Sequence, residues 1–224
     1  MFFNKKNKKN KKIVMSNVES YDSAQDLTNE VLRTLNAKSD KSIEYFYARF
    51  LVEDVFICSY ALSSADNYFA SNAYCYMDTI IILDFLGCLY MFEYEDRNSR
   101  AMGKLMSTYR KCMKDIIKHK AIFNIEEEES LKIYADRMYT YSSMFEESSD
   151  LGMIVDYYTR LVYFESQNKE LCMPLSMVPV ELDIFDEEKT RIRTYINNAI
   201  VEMTNKLVEL QKQNVLDFLD MESI

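Results

Sequence analysis

Carboxylates are the residues best suited to chemistry in this chain, because they recur at a spacing that suits a metal site. Glu126 and Glu129 stand three residues apart, and Glu147 and Asp150 repeat that spacing further along. Residues three apart on a helix share one face, and Mg²⁺ prefers oxygen ligands that leave room for water. Two such pairs, facing each other from neighbouring helices, could hold Mg²⁺ for hydrolysis of a nucleotide. The spacing is unspecific in an acidic chain, and both pairs fall at predicted helix ends, where solvated carboxylates are ordinary.

Other catalytic residues are scarce. His119 is the only histidine, which leaves too few ligands for a zinc site or for a di-iron site in a helical bundle. The 5 cysteines never form Cys-x-x-Cys and fall in apolar stretches, so we expect buried thiols and a cytoplasmic location. The sequence contains neither a Gly-rich phosphate loop nor a Gly-x-Ser-x-Gly turn. It therefore predicts no catalytic residues beyond the carboxylate alternative, and no cofactor.

Positive charge is concentrated in residues 97–120, which hold eight basic residues and one acid, Asp115, in a chain of net charge −9. At 100° per residue, the apolar residues of this segment fall within one arc. The opposite arc holds six of the cations: Arg97, Arg100, Lys104, Lys111, Lys114 and Lys118. Such a face pairs with acids of the same chain, with an acidic partner, or with a nucleic-acid backbone. We predict that these six residues form a binding face.

The composition favours helices as the elements that position these residues. The chain has 3 Gly and 2 Pro, too few for the tight turns of a sheet-rich fold. Its hydrophobic content of 48% is sufficient for a sizeable core. We predict an all-α, single-domain helical bundle of about six helices over residues 16–224. Residues 1–15 are rich in Lys and Asn and are expected to form a disordered arm.

Apolar periodicity places the helices along the chain. A Pro-containing linker is expected near residues 173–185, before a long C-terminal helix over about 186–218. Within the second helix, Arg49 and Glu53 are four residues apart and could form an ion pair. The earlier helices are expected at about 22–36, 42–62, 66–94, 97–120, from 126–129 to beyond 145, and 152–168.

The third predicted helix is the most hydrophobic segment. Between residues 73 and 92 its only charges are Asp78 and Asp84. About twenty such residues could cross a bilayer, but an acid near the centre costs about 3 kcal/mol on insertion. A helix surrounded by other helices has no such cost. We therefore predict a central helix of the bundle and no membrane span.

Three functional hypotheses remain open. The first is a non-enzymatic protein–protein interaction or regulatory module, with a protein partner or self-association. It rests on the scarcity of catalytic residues and on the basic face. The alternative is a nucleic-acid-binding protein that uses the same face of residues 97–120. The second alternative is a Mg-dependent helical nucleotide pyrophosphohydrolase that uses Glu126, Glu129, Glu147 and Asp150.

Overall fold

A computed structural model describes residues 24–37, 40, 42–65, 73–93, 100–119, 123, 125–167 and 186–212. Those residues contain no strand and form seven helices, which confirms the all-α prediction. The expected disordered arm of residues 1–15, the linker near 173–185 and the predicted helix end near 218 lie outside the described residues. The helices are α1 (Ala24–Asn36), α2 (Ile43–Ala65), α3 (Ala73–Glu93), α4 (Arg100–Ile117), α5 (Glu127–Ser148), α6 (Leu151–Gln167) and α7 (Asp186–Lys212).

Local signals fix several helix ends. At the start of α2, the Ser42 hydroxyl accepts a hydrogen bond from the Tyr45 N–H at 3.2 Å, which satisfies one of the unpaired amides of the first turn. Three glutamates occupy the first turn of α5, where the helix dipole favours negative charge. The same helix ends at Ser149, whose left-handed backbone lets its N–H donate to the Phe145 carbonyl at 2.8 Å.

Helix α3 is the centre of the bundle. It packs against α2, α5, α6 and α7, and every residue from 75 to 88 is buried. The prediction of a central helix surrounded by others is therefore confirmed. Within the described residues, none of the helices combines the length and the hydropathy that a membrane span requires.

The two acids of α3 are buried and are bound by residues of other helices. Asp78 accepts a hydrogen bond from Arg137 Nε at 2.8 Å, and Arg137 Nη2 lies 3.3 Å from Glu165 Oε1. Asp84 accepts a hydrogen bond from the Tyr134 hydroxyl at 2.6 Å. A buried charge without such partners would cost several kcal/mol, so these contacts are what make an acidic central helix tolerable.

Candidate functional site

Helix α4 is strongly amphipathic, as its sequence predicts. One side faces α1 and α2 and is buried, whereas the other side carries the cations. Apolar residues at intervals of three and four bury one stripe of a helix and leave the opposite stripe in water. The buried side consists of Leu105, Met106, Tyr109, Cys112, Met113, Ile116 and Ile117.

The structure brings four of the six predicted binding residues onto one surface. Arg97 lies outside the described residues, and Arg100 begins α4 with a side chain that is not described. Lys104 is half-buried, whereas Lys111 and Lys114 are exposed on the outer face of α4. Lys118 follows α4 directly.

The two ends of this basic face are paired with acids of the same chain. Near the start of α4, the Lys104 ammonium lies 3.8 Å from Glu44 Oε1 of α2. After its end, the Lys118 ammonium lies 3.2 Å from Asp115 Oδ1 and 4.0 Å from Glu127 Oε1. Exposed ion pairs of this length contribute at most about 1 kcal/mol each, so they orient the lysines more than they stabilise the fold.

The middle of the face is unpaired. The side chains of Lys111 and Lys114 form no hydrogen bond or ion pair with any other residue that the structure describes. Two unpaired ammonium groups one helical turn apart reinforce each other's positive potential and are available to a negatively charged ligand.

These lysines line an open groove between α4 and the first turns of α5, with a volume of about 670 Å³. Arg110, Lys111, Lys114 and Lys118 are its cations, and Asp115 and Glu127 are its acids, which leaves a net charge of +2. The remaining lining residues are small or apolar: Gly103, Met106, Ser107 and Leu131. The groove therefore combines positive charge with an apolar surface.

Arg110 belongs to this site although it was not among the predicted binding residues. It is exposed and lines the groove, and its position differs from that of Lys114 by one helical turn. The sequence did contain the signal, because at 100° per residue Arg110 lies only about 40° from Lys114. Leu131 carried no such signal, since only the packing of α5 beside α4 brings it to the groove.

The interior directly behind Arg110 is polar. Burial raises the pKa of Asp84 above its usual value, although the hydrogen bond from Tyr134 and the charge of Arg110 oppose that shift. The Cys88 thiol lies 3.6 Å from Asp84 Oδ1, and its pKa is also raised well above the usual value, by burial and by Asp84. A thiol held in this protonated state is a poor nucleophile, so Cys88 does not provide a reactive group beside the groove.

The carboxylate pairs of the metal hypothesis are not brought together. Glu126 and Glu129 lie at the start of α5, and Glu147 and Asp150 lie at its end. At a rise of 1.5 Å per residue, the 22-residue helix holds the two pairs about 30 Å apart. All four residues are exposed, and Glu129 accepts a hydrogen bond from the Tyr74 hydroxyl at 3.1 Å. One metal ion cannot bind both pairs in this arrangement, and among the described residues no group of His, Cys, Asp and Glu is placed to hold one.

The position of His119 at a helix terminus needs no functional explanation. It follows α4, and its backbone N–H donates to the Ile116 carbonyl at 2.9 Å. No second histidine exists to complete a site with it.

Comparison with known proteins adds no family to these observations: neither protein-family models, nor curated proteins, nor solved structures match this chain.

Proposed function

We propose that this chain is a non-enzymatic interaction protein whose basic groove between α4 and α5 binds an acidic segment of a partner protein. The observation that carries the proposal is the pair of unpaired lysines, Lys111 and Lys114, on the wall of a groove that is also lined by the partly exposed Leu131. Lys104 and Lys118, by contrast, are paired with acids of the chain.

The lining favours a protein segment over a nucleic acid. Asp115 and Glu127 lie among the groove cations, and three more glutamates flank Glu127, so a continuous phosphate backbone would meet repulsion along its path. The partly exposed Leu131 offers apolar contact, which an acidic peptide with aliphatic side chains can use and a phosphate backbone cannot. A carboxylate of that peptide would then bind between Lys111 and Lys114.

The test is the binding of a fluorescent synthetic peptide composed of Glu, Asp and Leu, measured by anisotropy. The control peptide has the same sequence with Gln and Asn in place of Glu and Asp. Reversing both lysines, Lys111→Glu with Lys114→Glu, should weaken binding of the acidic peptide by about tenfold or more, since it turns two attractions into repulsions. Arg191→Glu is the control, because Arg191 is an exposed cation of α7 that does not line the groove.

Two outcomes would overturn the proposal. One is equal binding of the acidic and amide peptides, which would mean that charge is not recognised. The other is acidic-peptide binding that survives the lysine reversal. Single-stranded and duplex DNA are included as competitors. Preference for them, with an affinity that falls steeply with salt, would replace the acidic peptide with a nucleic acid as the ligand.

The proposal assumes the domain layout expected from the sequence, with one helical domain over residues 16–224 that ends on a long C-terminal helix. A cytoplasmic location is part of it. Four of the five cysteines, Cys58, Cys75, Cys88 and Cys112, are buried free thiols, which suits a reducing compartment.

A further inference from the structure

Helix α2 has a second apolar stripe, on its outer side. Phe46, Phe50 and Ile57 are 48%, 43% and 37% exposed, although the opposite side of the same helix is buried in the core. At 100° per residue the three positions fall within an arc of about 40°. A contiguous apolar stripe on a helix surface indicates a contact surface rather than a random scatter of exposed residues.

The side chains of this stripe are ordered by contacts with one another. The Phe46 and Phe50 rings meet edge to face with centroids 5.1 Å apart, and the Arg49 guanidinium lies 5.9 Å above the Phe46 ring. Arg49 also donates a hydrogen bond from Nη1 to Asn36 at the end of α1. Aromatic residues and arginine are enriched in protein interfaces, and side chains that are already ordered lose less entropy on binding.

Charges of both signs border the stripe. The ion pair that the sequence suggested between Arg49 and Glu53 is not formed, because Arg49 turns to Asn36 and Phe46 instead. Glu53 makes no ion pair or hydrogen bond with its side chain in the part of the chain that the structure describes. The stripe thus contains a cation, Arg49, and four residues later an acid, Glu53, that is available for an ion pair.

We infer that this face of α2 binds the same face of a second copy of the chain, with the two α2 helices antiparallel. About a two-fold axis near residues 51 and 52, Arg49 lies opposite the partner's Glu53. Phe46 lies opposite the partner's Ile57, and the two copies of Phe50 meet near the axis. A two-fold interface requires one patch to be complementary to itself. The order Phe46, Arg49, Phe50, Glu53, Ile57 satisfies that requirement in charge and in the positions of its apolar residues.

The size of the patch sets the expected affinity. Residues 46 to 57 span about 16 Å of a helix that is about 10 Å wide, so the patch is much smaller than the roughly 800 Å² per partner that a standard complex buries. A weak dimer with a Kd in the micromolar range is therefore expected. The inference is independent of the proposed function, because the groove is formed by α4 and α5 and does not include the outer face of α2.

Sedimentation equilibrium of the full chain over a range of concentrations tests the inference by charge exchange. Arg49→Glu puts acids at both positions of the pair, and Glu53→Arg puts cations at both. Each variant alone should raise the dimer Kd by about tenfold or more, because like charges then face each other. An equimolar mixture of the two variants should form a heterodimer near the original affinity, since opposite charges face each other again.

A second pair of variants tests the contribution of the apolar side chains to the dimer interface. Phe50→Ser should abolish the dimer, whereas Tyr139→Ser, at a 75% exposed aromatic of α5, should leave it unchanged. Circular dichroism verifies that each variant is folded, and Phe50→Ser should still bind the acidic peptide in the groove. The inference is overturned if the unmodified chain stays monomeric at hundreds of micromolar. It is also overturned if the dimer persists in Phe50→Ser, or if a mixture of Arg49→Glu and Glu53→Arg forms no heterodimer.

Discussion

Arg137 and Asp78 form an ion pair in the interior of the bundle, with Arg137 Nε 2.8 Å from Asp78 Oδ1 and side chains that are 2% and 1% exposed. The same guanidinium reaches Glu165, so one side chain of α5 connects α3 to α6. Burial disfavours the charge of Arg137, but the two carboxylates outweigh that effect and raise its pKa. The guanidinium therefore stays charged at every pH at which the protein is folded.

Removal of this arginine should be among the most damaging substitutions in the core. We expect Arg137→Met to lower the free energy of unfolding by about 3–5 kcal/mol, because it leaves two carboxylates buried without their cation. Urea unfolding followed by circular dichroism measures the change. The triple variant Asp78→Leu, Arg137→Met, Glu165→Leu removes the charges together and should be more stable than Arg137→Met alone. A loss below about 1 kcal/mol for the single variant would contradict the buried pair.

Asp84 should make the stability of the protein depend on pH. Its pKa is raised in the folded state by burial, so the neutral carboxyl is the form that the fold favours. Its contribution to stability is therefore complete below the unfolded pKa of about 4 and is lost as pH rises through the higher folded pKa. Asp84→Asn removes this titration while it keeps an acceptor for the Tyr134 hydroxyl.

The measurement is the unfolding free energy of the wild type and of Asp84→Asn between about pH 4 and pH 8. The unfolding free energy of the wild type minus that of Asp84→Asn should fall steadily as pH rises. All other titrating groups are common to both proteins, so their contributions cancel in this difference. A difference that rises with pH would mean that the folded protein favours the ionised carboxylate.

Local patterns in the sequence predicted the parts of this structure that depend on one helix at a time. The apolar stripe of α4 and the burial of α3 were both confirmed. The partner of Asp78 was not predicted, because Arg137 lies 59 residues further along the chain and meets Asp78 only when α3 and α5 pack. Glu165, the second carboxylate bound to Arg137, comes from a third helix. Nothing in the local sequence around Asp78 identifies a cation so distant.

The basic face and the carboxylate pairs illustrate the same limit at the surface. Helical spacing placed Lys111 and Lys114 on one face, and it also sets Asp115 three residues before Lys118, with which it pairs. Only the neighbouring helices, however, bring Glu44 to Lys104 and Glu127 to Lys118. The spacing within each carboxylate pair was equally regular. The length of α5 nevertheless separates Glu126 from Glu147. A spacing of three residues within each pair contains no information about that distance.

Neutralising an acid of the groove should strengthen its binding of an acidic ligand. Glu127 lies on the groove wall and its carboxylate is 4.0 Å from Lys118. Glu127→Gln removes a negative charge from the groove wall, although Lys118 stays paired with Asp115. Affinity for the acidic peptide should therefore increase by about two- to fivefold. Glu128→Gln is the matched control, since this neighbouring residue is exposed but does not line the groove. Equal effects of the two substitutions would indicate long-range attraction to the whole protein instead of binding in the groove.

Replacing Ser149 with glycine should stabilise the turn between α5 and α6, whereas replacing Ser148 with glycine should destabilise the protein. Ser149 has φ 52° and ψ 22°, a left-handed conformation that costs a residue with a Cβ about 1–2 kcal/mol. Glycine adopts it without that cost but loses more backbone entropy on folding, so Ser149→Gly should raise the unfolding free energy by about 0.5–1 kcal/mol.

The preceding serine is in a different situation, although it is also exposed. Ser148 is helical, and its hydroxyl donates to the Met144 carbonyl at 2.8 Å and accepts from the Asp150 N–H at 3.2 Å. Ser148→Gly should therefore lower the unfolding free energy by about 1 kcal/mol, since it loses these contacts and puts glycine in a helix. Thermal and urea unfolding of the two variants give the comparison. Shifts in the same direction would mean that α5 does not end at Ser149 in solution, and the turn that aligns Glu165 of α6 with Arg137 of α5 would then need another explanation.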